Sequence, residues 1–153
     1  IFKLKEGVSG QYYNGVAAVL NAASGRSTGC IETTLAETIQ DGASTPKFSM
    51  NSVAMDCPSY ISTDGAATVA QVNAIVKAGA NNLYGANSGG GTYANTLSGV
   101  VNGTAEAAAT PTAIPATYNA DGFFDDPTYI GAVSGAADNW YKVWTVPGSI
   151  KLN

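Results

Sequence analysis

The chain reads as an α+β protein of two or three helices packed on a mainly antiparallel sheet, and three patterns lead there. Phe2 and Leu4 alternate with Lys3 and Lys5 in strand period. Val69, Val72, Ile75 and Val76 recur at helical spacing, and Trp140, Lys142, Trp144 and Val146 alternate with Tyr141, Val143 and Thr145. A β sandwich is the alternative if the threonine-rich segments form strands. The 153 residues suit one domain, here a single secreted domain over 1–153.

In chain order, Ile1 to Lys5 is a short strand. Tyr12 to Ala23 carries Val16, Val19, Leu20 and Ala23 on one stripe and predicts a helix ended by Ser24 and Gly25. Ile31, Leu35 and Ile39 lie four apart and predict a second, shorter helix closed by Asp41 and Gly42. Phe48, Met50 and Val53 predict a strand leading to Cys57 and Pro58. The clearest helix spans about 66–78, capped by Thr63 or Asp64 and stopped by Gly79. A Gly-, Asn- and Ser-rich stretch at about 81–103 predicts a flexible loop, and the Ala-rich run to Ala116, broken by Pro111 and Pro115, an extended connection. Trp140 to Val146 and Ser149 to Asn153 read as closing strands. No fixed-period repeat is evident, which counts against a solenoid within the chain.

Composition narrows function more than any motif does. The chain has no histidine, only 12% of its residues are charged, and Ala, Gly, Ser, Thr and Asn make up more than half of it. Its net charge is −4, and its seven Lys and Arg are scattered, which argues against nucleic-acid binding. No run of 18 apolar residues is present to span a membrane. A chain opening on Ile1 suits a mature exported product. Cys30 and Cys57, with 26 residues between them, fit neither a CxxC redox pair nor a zinc knuckle; they read as a disulfide, with two separate buried thiols as the alternative.

Catalysis finds little support. Glu32, Glu37, Asp125, Asp126 and Asp138 offer carboxylates without a recognisable pairing, and with histidine absent a serine nucleophile lacks its usual base, so the chain is read as a non-enzyme. No cofactor is called for; Asp121, Asp125 and Asp126, near Asn119, are candidate calcium ligands, outranked by a reading in which Asp121-Gly122 makes a turn and Asp126-Pro127 caps the next element.

The residues Asp121 to Val133, including Phe123, Phe124, Tyr129 and Ile130, followed by Asp138 to Val146 with both tryptophans, form the most distinctive series. This segment, about 121–146, resembles the C-terminal segment of uncharacterised secreted and surface proteins of environmental Gram-negative bacteria. The resemblance covers roughly 25 residues and implies export, with no activity attached.

These readings converge on an extracellular structural protein, a self-assembling filament or matrix subunit joined by addition of its terminal strands to copies of itself. Phe2, Leu4, Trp140, Trp144, Ile150 and Leu152 are the expected contact residues. A surface poor in charge removes the repulsion that guards sheet edges. The alternative is a secreted carbohydrate-binding or adhesion module, in which Trp140, Tyr141 and Trp144 stack on polysaccharide or cell-surface sugars.

Overall fold

In a computed structural model the strands pair in parallel, and they do so because the chain coils back over itself. The structure describes residues 1–5, 7–19, 29–34 and 48–146. A first turn holds β1 (Phe2–Leu4), β2 (Gly10–Tyr13) and β3 (Val16–Ala18). A second holds β4 (Gly29–Thr33), β5 (Phe48–Asn51) and β6 (Ala54–Asp56), and a third holds β7 (Ser59–Thr63), α1 (Val69–Ala78) and β8 (Leu83–Tyr84). Strands one turn apart stack into three walls: β1-β4-β7, β2-β5 and β3-β6-β8. On the second wall α1 occupies the third turn, packed against β5 and β7.

This overturns the antiparallel α+β sheet and the sandwich alike. Parallel neighbours require a long crossover between paired strands, and here the rest of each turn supplies it. The expectation against a solenoid is corrected with it, since stacked turns are the organising unit. Phe2 pairs with Ile31 and Ala54 with Leu83 across 29 residues, whereas Gly10 pairs with Phe48 and Val16 with Ala54 across 38. The additional residues between β4 and β5 break the period and conceal the repeat.

The register makes columns of inward side chains. Phe2, Ile31 and Ile61 align on the first wall, Tyr12 and Met50 on the second, and Ala17, Met55 and Tyr84 on the third. Ile31, Phe48, Met50, Val53 and Met55 are fully buried between the walls, and Val72 and Val76 of α1 join the same core. The helical reading of Tyr12 to Ala23 fails where it is described: Gly10–Tyr13 and Val16–Ala18 are strands, and Val16 faces outward while Ala17 is buried. Ile31 is likewise in a strand, while Leu35 and Ile39 of the second expected helix lie outside the described residues. The strand at Phe48 and Met50 is present, and Val53 follows it at a corner.

Helix α1 starts three residues later than expected. Its cap is Thr68, whose hydroxyl accepts from Gln71 N (3.2 Å) while the Gln71 carboxamide accepts from Thr68 N (3.0 Å), a reciprocal cap. At its other end Gly79 passes so near β5 that a Cβ there would lie 1.7 Å from the Met50 carbonyl oxygen. Residues 81–103 are irregular apart from β8 and isolated bridges from Val101 to Ser98 and to Val133. Trp140–Val143 is a 3₁₀ turn and not a strand, and only Tyr141 of that stretch is buried. The closing strand expected at 149–153 lies outside the described residues.

Cys30 and Cys57 form a disulfide, with Cα atoms 5.6 Å apart, that ties the end of the second turn to its beginning. Such a bond fits an oxidising, extracellular compartment. Replacing both cysteines by serine should lower stability by about 3.5 kcal/mol, the chain-entropy value for a loop of this size, read from the urea midpoint; a loss under 1 kcal/mol would show that the turn closes without it. Thr33 offers the opposite case. It is fully buried, and among the described residues its hydroxyl has no hydrogen-bond partner. Thr33→Val keeps the branched shape and removes the orphan group, so the urea midpoint should rise, corresponding to about 1 kcal/mol.

Candidate assembly surface

The same coiling leaves sheet edges at its two ends. Among the described residues β1, β2 and β3 each pair with one strand, and their unpaired edges share one end of the coil. The covering layer, the chain beyond residue 93 that runs outside the third wall, reaches this end where Gly131 N donates to Asn14 O (2.7 Å). At the far end the three walls differ. The second wall ends in α1, and the third ends in β8, whose Tyr84 carbonyl already accepts from Tyr93 N (3.0 Å). The first wall ends in β7, whose Ser59 and Ser62 are exposed. Only the first wall therefore presents an unbacked strand at both ends among the described residues.

The outward column of that wall is Lys3, Glu32 and Ser62 in register. Lys3 Nζ lies 2.8 Å from Glu32 Oε1, and this hydrogen bond holds the Glu32 carboxyl below its ordinary value. Each terminal turn also carries an edge-to-face aromatic pair against the core: Phe2 with Tyr12 at 5.2 Å and Tyr60 with Tyr84 at 6.1 Å. Lys77 lies over the Tyr84 ring at 3.4 Å and donates to Gly89 O. Burial pushes the Tyr60 hydroxyl well up and the Tyr84 hydroxyl up, so both stay neutral.

The expected contact residues scatter. Phe2 is half-buried at the open first turn, but Leu4 is inside the core and unavailable to a partner. Trp140 and Trp144 are exposed, by 54% and 82%, on the 3₁₀ turn and just after it, with Trp140 Nε1 donating to Ala132 O (3.1 Å). Ile150 and Leu152 lie outside the described residues. Asp121, Asp125 and Asp126 are exposed and form no cluster of metal-ligating side chains among the described residues. Asp138 instead accepts from the Ser134 amide and hydroxyl.

Two sets of residues that shape this surface escaped the sequence reading. Asn14, Ser52 and Asn81 stack at the corner between the second and third walls, each with left-handed backbone at φ 56°, 53° and 56°. Their side chains hold a strap at 110–112: Asn14 exchanges two hydrogen bonds with the Thr112 backbone (2.8 and 2.9 Å), Ser52 Oγ donates to Thr110 O (2.8 Å), and Asn81 Nδ2 donates to Thr112 Oγ1 (3.3 Å). The signal available was Asn14-Gly15 and the Asn81-Asn82 pair, since Asn tolerates positive φ better than other side chains.

The second is Glu106, fully buried in the short helix α2 (Thr104–Ala107). Its carboxylate accepts from the Tyr93 hydroxyl, the Thr96 amide (3.0 Å) and hydroxyl (2.7 Å), and the Gly103 amide (3.0 Å). Burial pushes its pKa up, and the four donors outweigh that, leaving it below the ordinary value. Glu106 is the one ionisable residue between Thr104 and Ala116, and a lone charge in an Ala-rich run was the clue to it. Because the folded value is depressed, its stabilisation is complete above the ordinary carboxylate range and fades as pH falls through the folded value. Glu106→Gln turns an NH₂ toward a donor and should cost about 2–3 kcal/mol at neutral pH, a drop of roughly 4–10 °C in Tm, with a shallower loss of stability on acidification than the parent shows; an unchanged Tm would remove Glu106 as the anchor of this layer.

No protein-family model, curated protein or solved structure matches the chain.

Proposed function

We propose that the protein is an extracellular structural subunit that joins copies of itself head to tail by strand addition along its first wall. The observation that supports this most directly is the pair of edges left unbacked among the described residues, β1 at one end and β7 at the other, on one continuous parallel ladder. An exposed parallel edge is a template for another strand, and a contact between unlike ends repeats without closing. The composition agrees, because so few charges leave little repulsion between ends. Disulfide closure and the resemblance of the 121–146 segment to secreted and surface proteins favour the cell exterior. With both carboxylate oxygens of Glu106 committed to four donors and Glu32 paired with Lys3, the reading remains that of a non-enzyme.

Continuing the ladder sets the register of the joint. Ile61 would meet Phe2 of the next copy, and Ser62 would meet its Lys3, as Glu32 does within the chain. Ser62→Glu should therefore strengthen association and Ser62→Lys weaken it, each by roughly two- to fivefold, the range of cross-strand charge pairs. Sedimentation velocity over a concentration series reads both, alongside electron microscopy of the parent for an axial repeat. A sharp monomer at high concentration, or equal effects of the two substitutions, would sink the proposal.

A further inference from the structure

The strap at 110–112 leads into a second feature that self-assembly does not use. Beyond it the chain returns along the outer side of β2, and a groove of about 760 Å³ lies between them, lined by Tyr13, Gln11 and Ser9 from one side and Ile114, Tyr118 and Phe124 from the other. The far side is pre-organised. Asn119 closes its loop by donating from Nδ2 to Phe124 O (2.7 Å) and accepting at Oδ1 from Phe124 N (2.8 Å), so both backbone groups of Phe124 are held. Phe123 packs edge-to-face on Phe124 at 4.9 Å. Tyr118 and Phe124 nevertheless remain 55% and 48% exposed.

On the near side, Gln11 accepts the Ser49 hydroxyl, which sets the plane of its carboxamide. The lining thus combines three aromatic rings with an amide, phenols and a serine hydroxyl, and among the described residues it contains no carboxylate, ammonium or guanidinium group. A charged ligand would find no counter-ion there. A purely apolar one would leave the amide and hydroxyls unpaired, at a cost in desolvation. A neutral, polyhydroxylated ligand with C–H faces satisfies both kinds of lining group, because rings take the faces while amides and hydroxyls take the edges.

We infer that this groove between β2 and the 114–124 segment binds a neutral polysaccharide chain, with Tyr13, Tyr118 and Phe124 as stacking platforms and Gln11 as the orienting hydrogen-bonding group. The site includes neither exposed tryptophan and no residue of β1 or β7, the two strands of the proposed joint, so its test is distinct from that of head-to-tail assembly. A subunit of an extracellular layer would use it to hold surrounding glycan.

Affinity electrophoresis of the full chain through gels containing neutral glucan, mannan, xylan or galactan, with anionic polygalacturonate as the contrast, tests it. At least one neutral polymer should retard the protein and polygalacturonate should not. Tyr118→Ala and Phe124→Ala should each weaken the retardation at least tenfold, Tyr118→Phe should keep most of it, and Trp144→Ala should leave it unchanged, with circular dichroism showing that every variant is folded. Titration with hexasaccharides of the retarding polymer, followed by NMR, should shift Tyr13 and Gln11 resonances. Failure of every neutral polymer, retention that survives both alanine variants, retention lost with Trp144→Ala, or a preference for polygalacturonate would each overturn the assignment. So would shifts at Tyr13 and Gln11 that follow protein concentration alone, which would make a second copy the occupant.

Discussion

The structure depends on one constraint: each strand must meet the strand one turn earlier in parallel and in register. Once Phe2 pairs with Ile31 and Ile31 with Ile61, the inward residues of a wall form a column, and a polar residue in that column is buried whatever its own preference. Thr33, between Leu4 and Thr63, is the case in point, tolerated because its methyl group and branched Cβ suit the stacked wall. The constraint also demands a sharp corner at the same place in every turn. Asn14, Ser52 and Asn81 meet that demand with left-handed backbone, and their side chains then serve the layer outside.

That outer layer explains how so few charges suffice. The outward residues of the third wall are covered by the chain from 93 onward, which is held by short polar groups: Asp56 accepts from the Asn95 amide and side chain, Asn102 donates to Ile130 O, and Glu106 gathers Tyr93, Thr96 and Gly103. Two buried or half-buried carboxylates and the neutral amides and hydroxyls around them satisfy backbone that no sheet or long helix covers. Abundant Asn, Thr and Ser therefore do structural work in this layer as well as coating the surface. A small apolar cluster of Val101, Val133 and Tyr141 completes it.

Parts of this were legible in the sequence and parts were not, for physical reasons. The α1 stripe survives in Val72 and Val76, the strand at Phe48 and Met50 is present, β1 alternates as expected, and the cysteines pair. Alternation reports that a strand has two faces, yet it carries no information on whether the neighbour runs parallel or antiparallel. The stacking was hidden because the second turn is lengthened between β4 and β5, which moves the pairing distance from 29 to 38 residues. Trp140 and Trp144 share a strand face by period two, but a 3₁₀ turn leaves both exposed while Tyr141 takes the buried place. Of the described residues expected at the assembly surface, Phe2 and Leu4 lie on the open-edge strand β1, and of these two only Phe2 is partly exposed. Ser62 and the polysaccharide groove were out of reach, because both arise from residues far apart in the chain.

The unequal ends of the three walls bear on what kind of assembly the proposed joint would make. If every wall ended in an open strand, one subunit would continue into the next as though the coil had no boundary, and length would be governed by little besides supply. Here α1 closes the second wall and Tyr93 backs the third, so a head-to-tail joint along the first wall engages a three-residue β1 and a five-residue β7. Such a joint is weaker than any turn-to-turn contact within the subunit, where three walls and a shared core act together. Subunits would therefore remain discrete and exchangeable along the fibre. A second point of attachment, such as glycan held in the groove beside β2, would then add avidity to a joint that is modest alone.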